Sequence, residues 1–252
     1  LLKVFNQSLM KSEKIVSKAI DFRRSIRHYD SNLEIDEEIV KKCIKQAVLA
    51  PNSSNLQLWQ FYHIIDKKII DELSKSCFNQ PAARTCKQLV VFVVRKDLWK
   101  KRANANADFI KRTFLSNKDN SKRRNKMAVN YYKKLIPAIY SDFFGVFGFV
   151  RYLIALFTGI FRPIYRQVRK SDLRIVAHKS CALAAENFMV SMAAYGYDTC
   201  PMEGFDSLRT KRILKLPNSS EINMIISCGK RSEKGVYGPR FRIPFDEIYF
   251  RK

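Results

Sequence analysis

The chain has 252 residues, 46% of them hydrophobic, enough to bury a full core as one domain spanning residues 1–252 with an insertion inside it. Six cysteines (Cys43, Cys77, Cys86, Cys181, Cys200, Cys228) show no CxxC pairing, and three histidines (His28, His63, His178) show no metal-ligand spacing. No metal site is expected, and the thiols read as small hydrophobes in a cytoplasmic protein. The formal charge of +24 is uneven: residues 95–134 carry 14 Lys and Arg against 3 Asp, yet no helix-turn-helix, zinc-finger or RNA-binding signature accompanies them, so solvated basic helices are preferred to a nucleic-acid surface.

No signal peptide shows at the start, although the chain opens at Leu1 rather than Met, which leaves a removed leader or a truncated form open. The first periodic segment predicts a helix from about Asp36 to Ala50, with Asp36 as N-cap and Ile39, Val40, Cys43, Ile44, Ala47 and Val48 on one face, ended by Pro51. A strand follows near Trp59–Asp66, then a short helix. The unbroken apolar run QLVVFVV at 88–94 predicts a strand covered on both faces. A long helix is expected from about Asp172 to Tyr195, with Gly196 as a left-handed cap, and a further strand at NMIISC, 223–228. The loop after it, GKRSEKGVYG, lacks the spacing of a phosphate-binding P-loop.

Three short stretches look built to hold an anionic aromatic group. RRSIRHYD places Arg23, Arg24, Ser25 and Arg27 within five residues, PMEGFD occupies 201–206, and PRFRIP places Arg240 and Arg242 two apart on an extended segment, where their side chains share a face. Arginine offers a fork of donors matched to phosphate oxygens and keeps its charge near neutral pH.

With these motifs, the helix-ending APNSSNLQLW at 50–59 and the strand after Asn79-Gln80, the chain resembles the FMN-dependent nitroreductase family over residues 22–94 and 172–250. The resemblance implies an α+β fold with a central, mostly antiparallel sheet flanked by helices. It also implies a homodimer with FMN at the interface. Arg23, Arg24, Ser25 and Arg27 would hold phosphate, ribityl chain and ring edge, with Arg27 near flavin N1 and O2. Pro51, Asn52, Ser53 and Asn55 would reach the flavin bound mainly by the other subunit, although Asn52 and Leu58 depart from the usual Ser and Pro. Asn79 would meet the pyrimidine edge, while Ala82 stands where a Lys is frequent, with Arg84 a candidate substitute. Pro201, Met202, Glu203 and Gly204 would contact the flavin through their backbone, and Arg240 and Arg242 would close the phosphate site. No protein group is expected to be catalytic, because the chemistry lies on the flavin.

The implied activity is hydride transfer from NADH or NADPH through FMN to a small-molecule electron acceptor such as a nitroaromatic or quinone. Alternatives are a specialised flavin enzyme of the reductive dehalogenase type, or a basic membrane-surface or nucleic-acid-binding protein with a structural flavin. The insertion, 98–170, contains the apolar stretch 143–161, long enough by count to span a bilayer. A span would separate the two halves of one flavin site, and Arg151 lies near its centre. The stretch is therefore expected to be a buried lid or dimer-packing helix, with Gly145, Gly148, Ala155 and Gly159 forming a small-residue stripe open to another helix. Contact with a membrane surface is the lesser reading.

Overall fold

The computed structural model describes residues 16–115 and 122–252. The opening stretch, in which the sequence shows no signal peptide, and residues 116–121 of the basic segment lie outside them. Four antiparallel strands form the central sheet in the order β1-β2-β4-β3: β1 (Trp59–Ile64), β2 (Gln88–Val94), β3 (Asp198–Met202) and β4 (Glu221–Gly229). All seven residues of β2 are buried because it lies inside the sheet and both faces are covered. Val90, Phe92 and Val94 belong to one core, and Leu89, Val91 and Val93 to the other. The pleat sends successive side chains to opposite faces, which explains a run with no polar alternation.

A first helix, α1, covers residues 16–22. The first core is closed by α2 (Glu37–Ala47) and α9 (Lys170–Ala194), which bring Val40, Cys43 and Ala47 against Cys181, Ala184, Phe188 and Met192. Asp36 caps α2, its carboxylate accepting from the Glu38 N–H at 2.8 Å. The helix stops at Ala47, three residues before the expected end, and Val48 is exposed. At the other end of α9, Gly196 takes φ +71°, the left-handed conformation that a glycine cap adopts without a Cβ clash. The second core is closed by α3 (Lys67–Ser76) and α4 (Pro81–Thr85), through Ile70, Leu73, Cys77, Ala82 and Ala83. All six thiols are free and buried, and burial pushes those of Cys43, Cys77, Cys86 and Cys181 up to about 12.

Between β2 and α9 the chain makes a helical excursion: α5 (Trp99–Leu115), α6 (Lys122–Asn130), a π-helical turn at Tyr131–Leu135, α7 (Ile136–Tyr140) and α8 (Val146–Phe161). No helix among the described residues is long and apolar enough to cross a membrane.

The small-residue stripe differs from expectation. Gly145 lies outside α8 as its N-cap at φ +90°. A Cβ on Gly148 would meet the backbone of Arg169 and Lys170, and one on Gly159 would collide with the Arg166 side chain. The stripe is thus filled by the returning segment of the same chain. The expected burial of 143–161 also fails within the chain: the outer face of α8 is open, with Phe157 63% and Phe161 87% exposed.

Candidate functional site

The stretch after the helical residues 16–22 runs beside β3. Ser25 pairs with Thr199 in a parallel bridge, and the Ile26 N–H donates to the Thr199 carbonyl at 3.2 Å. Ile26 and Tyr29 point into the second core, which leaves Arg23, Arg24, Ser25 and Arg27 on the outer side. The Arg27 N–H donates to the Gly235 carbonyl at 2.8 Å. A Cβ on Gly235 would lie 2.9 Å from the Ser232 carbonyl and 3.0 Å from that of His28, so only glycine lets these segments approach.

This contact carries residues 236–242 alongside the N-terminal arginines. Together they line a cleft of about 330 Å³ that includes Arg23, Arg24, Ser25, Arg27, Arg240 and Arg242. Among the described residues no carboxylate lines it. Backbone carbonyls aim the guanidinium groups: Arg24 Nη2 donates to Gly238 O at 2.6 Å, and Arg240 Nη2 to Asp21 O at 2.8 Å and Arg23 O at 2.7 Å. Arg23 also faces Glu186 of α9 at 3.6 Å. Each guanidinium carries five donors, so these contacts orient the groups without exhausting them. Five arginines and a serine hydroxyl around a mainly polar cleft suit a phosphate monoester, the terminal group of FMN, and the donor set fits that group.

The other expected residues divide into two groups. Pro201 and Met202 end β3, and Glu203 and Gly204 follow it into the open. Asn79 sits in the turn after α3 at φ +51°, its N–H donating to Ser74 O at 2.9 Å. The adjoining Gln80 donates from Nε2 to the Gly204 carbonyl at 2.7 Å, so the Asn79 turn and the PMEGFD segment are locked side by side. Gln80 was not singled out from the sequence, and its position directly after Asn79 is the one signal that pointed to it. Arg84 is exposed, and Ala82 is fully buried.

Pro51, Asn52, Ser53 and Asn55 lie apart from the arginine cleft and are tied to other elements. Asn52 Oδ1 accepts from the Gln57 N–H at 2.8 Å, and the Ser53 N–H donates to Ser180 Oγ of α9 at 3.3 Å. The Ser54 and Tyr131 hydroxyls share a 2.5 Å hydrogen bond, Tyr132 Oη donates to Ser54 O at 3.0 Å, and Asn55 Nδ2 donates to Asn106 Oδ1 at 2.9 Å. Ser54, Asn55 and Gln57 all take positive φ, and these side-chain bonds hold that strained loop in place. The excursion therefore supports the loop, a link that sequence spacing did not reveal.

One ion pair fixes the geometry of the whole region. Asp198, the buried first residue of β3, accepts from the Arg231 N–H at 2.8 Å and from its Nε at 2.9 Å, and Arg231 Nη2 donates to Phe22 O at 3.2 Å. The guanidinium also lies 4.3 Å over the Phe22 ring. It thus anchors the residue preceding Arg23 to both β3 and the loop after β4.

The chain is similar over nearly its whole length to proteins that share this architecture. Protein DrgA of Synechocystis sp. is 28% identical over 218 residues, covering 85% of this chain and 83% of the relative. "Putative NAD(P)H nitroreductase YdgI" of Bacillus subtilis is 25% identical over 228 residues, covering 90% and 92%. Among solved structures, the Nitroreductase Family Protein from Streptococcus pneumoniae superposes with a TM-score of 0.64 at 22% identity, covering 94% of this chain and 98% of the other. The "putative nitroreductase in complex with FMN" from Exiguobacterium sibiricum gives 0.66 at 20% identity, covering 94% and 97%. Residues 20–230 match the Nitroreductase family as a whole, taking in the first arginine motif, all four strands and the PMEGFD segment, and the chain belongs to that family.

Proposed function

We propose that the protein is an FMN-dependent oxidoreductase that works as a homodimer, accepts reducing equivalents from NADH or NADPH and passes them to a small acceptor such as a nitroaromatic or quinone. The observation that carries this reading is the arginine cleft, assembled from residues 23–27 and 236–242 and tied to β3 through the Ser25–Thr199 bridge. FMN held there would supply the electron-transfer chemistry, with the protein providing binding, orientation and charge. In this reading Arg23, Arg240 and Arg242 hold the phosphate, Arg24 and Ser25 the sugar-alcohol chain, and Arg27 sets a fixed positive charge at the pyrimidine edge of the ring. Asn79 binds that same edge, and Pro201, Met202, Glu203 and Gly204 present backbone groups to the ring face.

The dimer accounts for two features that a single chain leaves unfinished. Pro51, Asn52, Ser53 and Asn55 are held firmly yet stand away from the cleft, as a loop serving a partner's site would. The C-terminal segment also leaves Phe241, Phe245, Ile248 and Phe250 between 64% and 74% exposed, a row of large apolar side chains that a second subunit would cover. The excursion, through its hold on the 52–57 loop, would roof the flavin pocket or extend the dimer interface.

The visible absorption spectrum of the purified protein, followed by anaerobic titration with NADH and NADPH, tests the proposal. A flavin spectrum bleached by reduced nicotinamide is expected. Arg242→Ala should weaken FMN binding by about 1.5–3 kcal/mol, the scale of a hydrogen bond to a charged group. A colourless protein that FMN cannot reconstitute overturns the reading, and a monomer in sedimentation that holds FMN tightly overturns its dimeric part.

A further inference from the structure

Helix α8 is built inside out. Its inner face carries Gly148, Ala155 and Gly159 together with Arg151, whose guanidinium donates to Val168 O at 3.3 Å, Ala138 O at 3.1 Å and Ser141 O at 2.7 Å. Its outer face carries Val146, Phe149, Val150, Ile154, Phe157 and Ile160, a stripe at helical spacing in which every side chain is 46–70% exposed. A helix that only had to pack on its own protein would turn these faces the other way. Phe144, in the turn before it, is 91% exposed and extends the stripe.

We propose that this face docks on an anionic lipid surface, with α8 lying in the plane of the interface rather than crossing it. Sixteen residues rise about 24 Å, short of the roughly 30 Å of a hydrocarbon core. The flanking strands also pair with each other, β2 before the excursion with β4 after it, so both ends of the excursion return to one side.

Charge selects the partner. The insertion, 98–170, holds 17 Lys and Arg against 3 Asp, a net +14 of the chain's +24. Asp142, in the turn before α8, is turned inward and accepts from the N–H groups of Gly145 and Gly148. At the other end of the helix come Arg162, Arg166 and Arg169, all exposed. Arg166 Nη2 donates to Gly159 O at 3.0 Å, and the Arg169 guanidinium lies 3.6 Å over the Tyr152 ring, so these cations sit on the inner side of the helix, behind the apolar stripe. An apolar face backed by arginine is the pattern of a helix lying at the boundary between headgroups and acyl chains. A second copy is the poorer occupant, because a contact through α8 would bring together two insertions that each carry a net +14.

The test is flotation of the full-length protein with phosphatidylcholine vesicles made with and without phosphatidylglycerol, alongside a Phe149→Glu, Phe157→Glu double variant. The protein should float with the anionic vesicles and only weakly with the neutral ones, and salt should reduce the binding. The double variant should bind about a hundredfold more weakly, roughly one factor of ten for each half-inserted ring. Both residues are exposed and remote from the arginine cleft, so the variant should keep its fold and sedimentation coefficient. Absence of binding to anionic vesicles, or equal binding by the double variant, overturns the proposal. So does a drop in oligomeric state in the double variant, which would assign the face to a second copy of this chain. None of these readouts depends on flavin content, so their failure is separate from failure of the functional reading.

Discussion

Two segments of this chain are almost uniformly apolar, and they meet opposite fates. β2 buries every side chain of QLVVFVV, with one core above and another below. α8, richer still in phenylalanine, buries only Gly148 and Ala155 and turns its large residues outward. Apolar content states that water must be excluded; the neighbours state by what. β2 finds them within the chain because it is an inner strand, whereas α8 lies on the outside of an excursion whose inner positions are already filled by the Arg166 side chain and the backbone of Arg169 and Lys170.

The largest expected effect separates the two segments directly. Phe92→Ala removes a ring packed 4.7 Å from Phe61 and 5.7 Å from Phe188 and should cost about 3–5 kcal/mol in urea unfolding. Phe157→Ala, measured in lipid-free protein, should stay within about 0.5 kcal/mol. Comparable losses at both positions would erase the distinction.

Each region also has one arginine anchor, and the anchors differ in kind. Asp198→Ala leaves Arg231 without its buried carboxylate and should cost about 3–5 kcal/mol. Arg151→Ala frees three carbonyls and takes away the cation 3.9 Å from the Asp142 carboxylate, and should cost about 1.5–3 kcal/mol, with loss of α8 protection in hydrogen exchange preceding global unfolding. If protection of β3 falls together with that of α8, the two regions unfold as one unit.

The smallest effect lies at the seam, where Glu221 of β4 meets His178 and Arg174 of α9. Burial pushes its carboxyl up, but the hydrogen bonds from His178 and Arg174 and the arginine's charge outweigh this and leave it below the usual carboxylate value. The folded state therefore holds its proton less readily than the unfolded chain. The stabilisation is complete above the ordinary glutamate pKa of about 4.3 and is lost as pH falls through the lower folded value. Urea midpoints should drop between about pH 5 and pH 3, and Glu221→Gln should flatten part of that slope.

What could be read from residues alone followed the range of the interactions. The Asp36 cap, the Gly196 terminus and β2 rest on contacts within a few residues or on composition, and all three are where the spacing predicts them. The arginine clusters were legible because their side-chain type suits one ligand chemistry, and the fold brings all six residues, Ser25 included, to one cleft. Less legible were features made by pairing across the chain. Gln80 with Gly204, Ser54 with Tyr131 and Asp198 with Arg231 join residues whose local sequence announces nothing. The orientation of α8 was likewise hidden, since glycines in an apolar helix are equally compatible with a partner helix and with the chain's own backbone.

The walls of the arginine cleft are more than two hundred residues apart in sequence. Arg24 bonds to a carbonyl 214 residues later, and Arg240 reaches back 217 and 219 residues. At a synthesis rate of roughly 5–20 residues per second, the first arginines emerge some 10–40 seconds before their partners exist. During that interval a concentrated positive patch stands on the nascent chain beside ribosomal RNA and any free polyanion. The sheet can pair once Gly229 has been made, but the cleft is completed only when residues 236–242 have left the ribosome, so translation order alone places assembly of the cleft after that of the sheet.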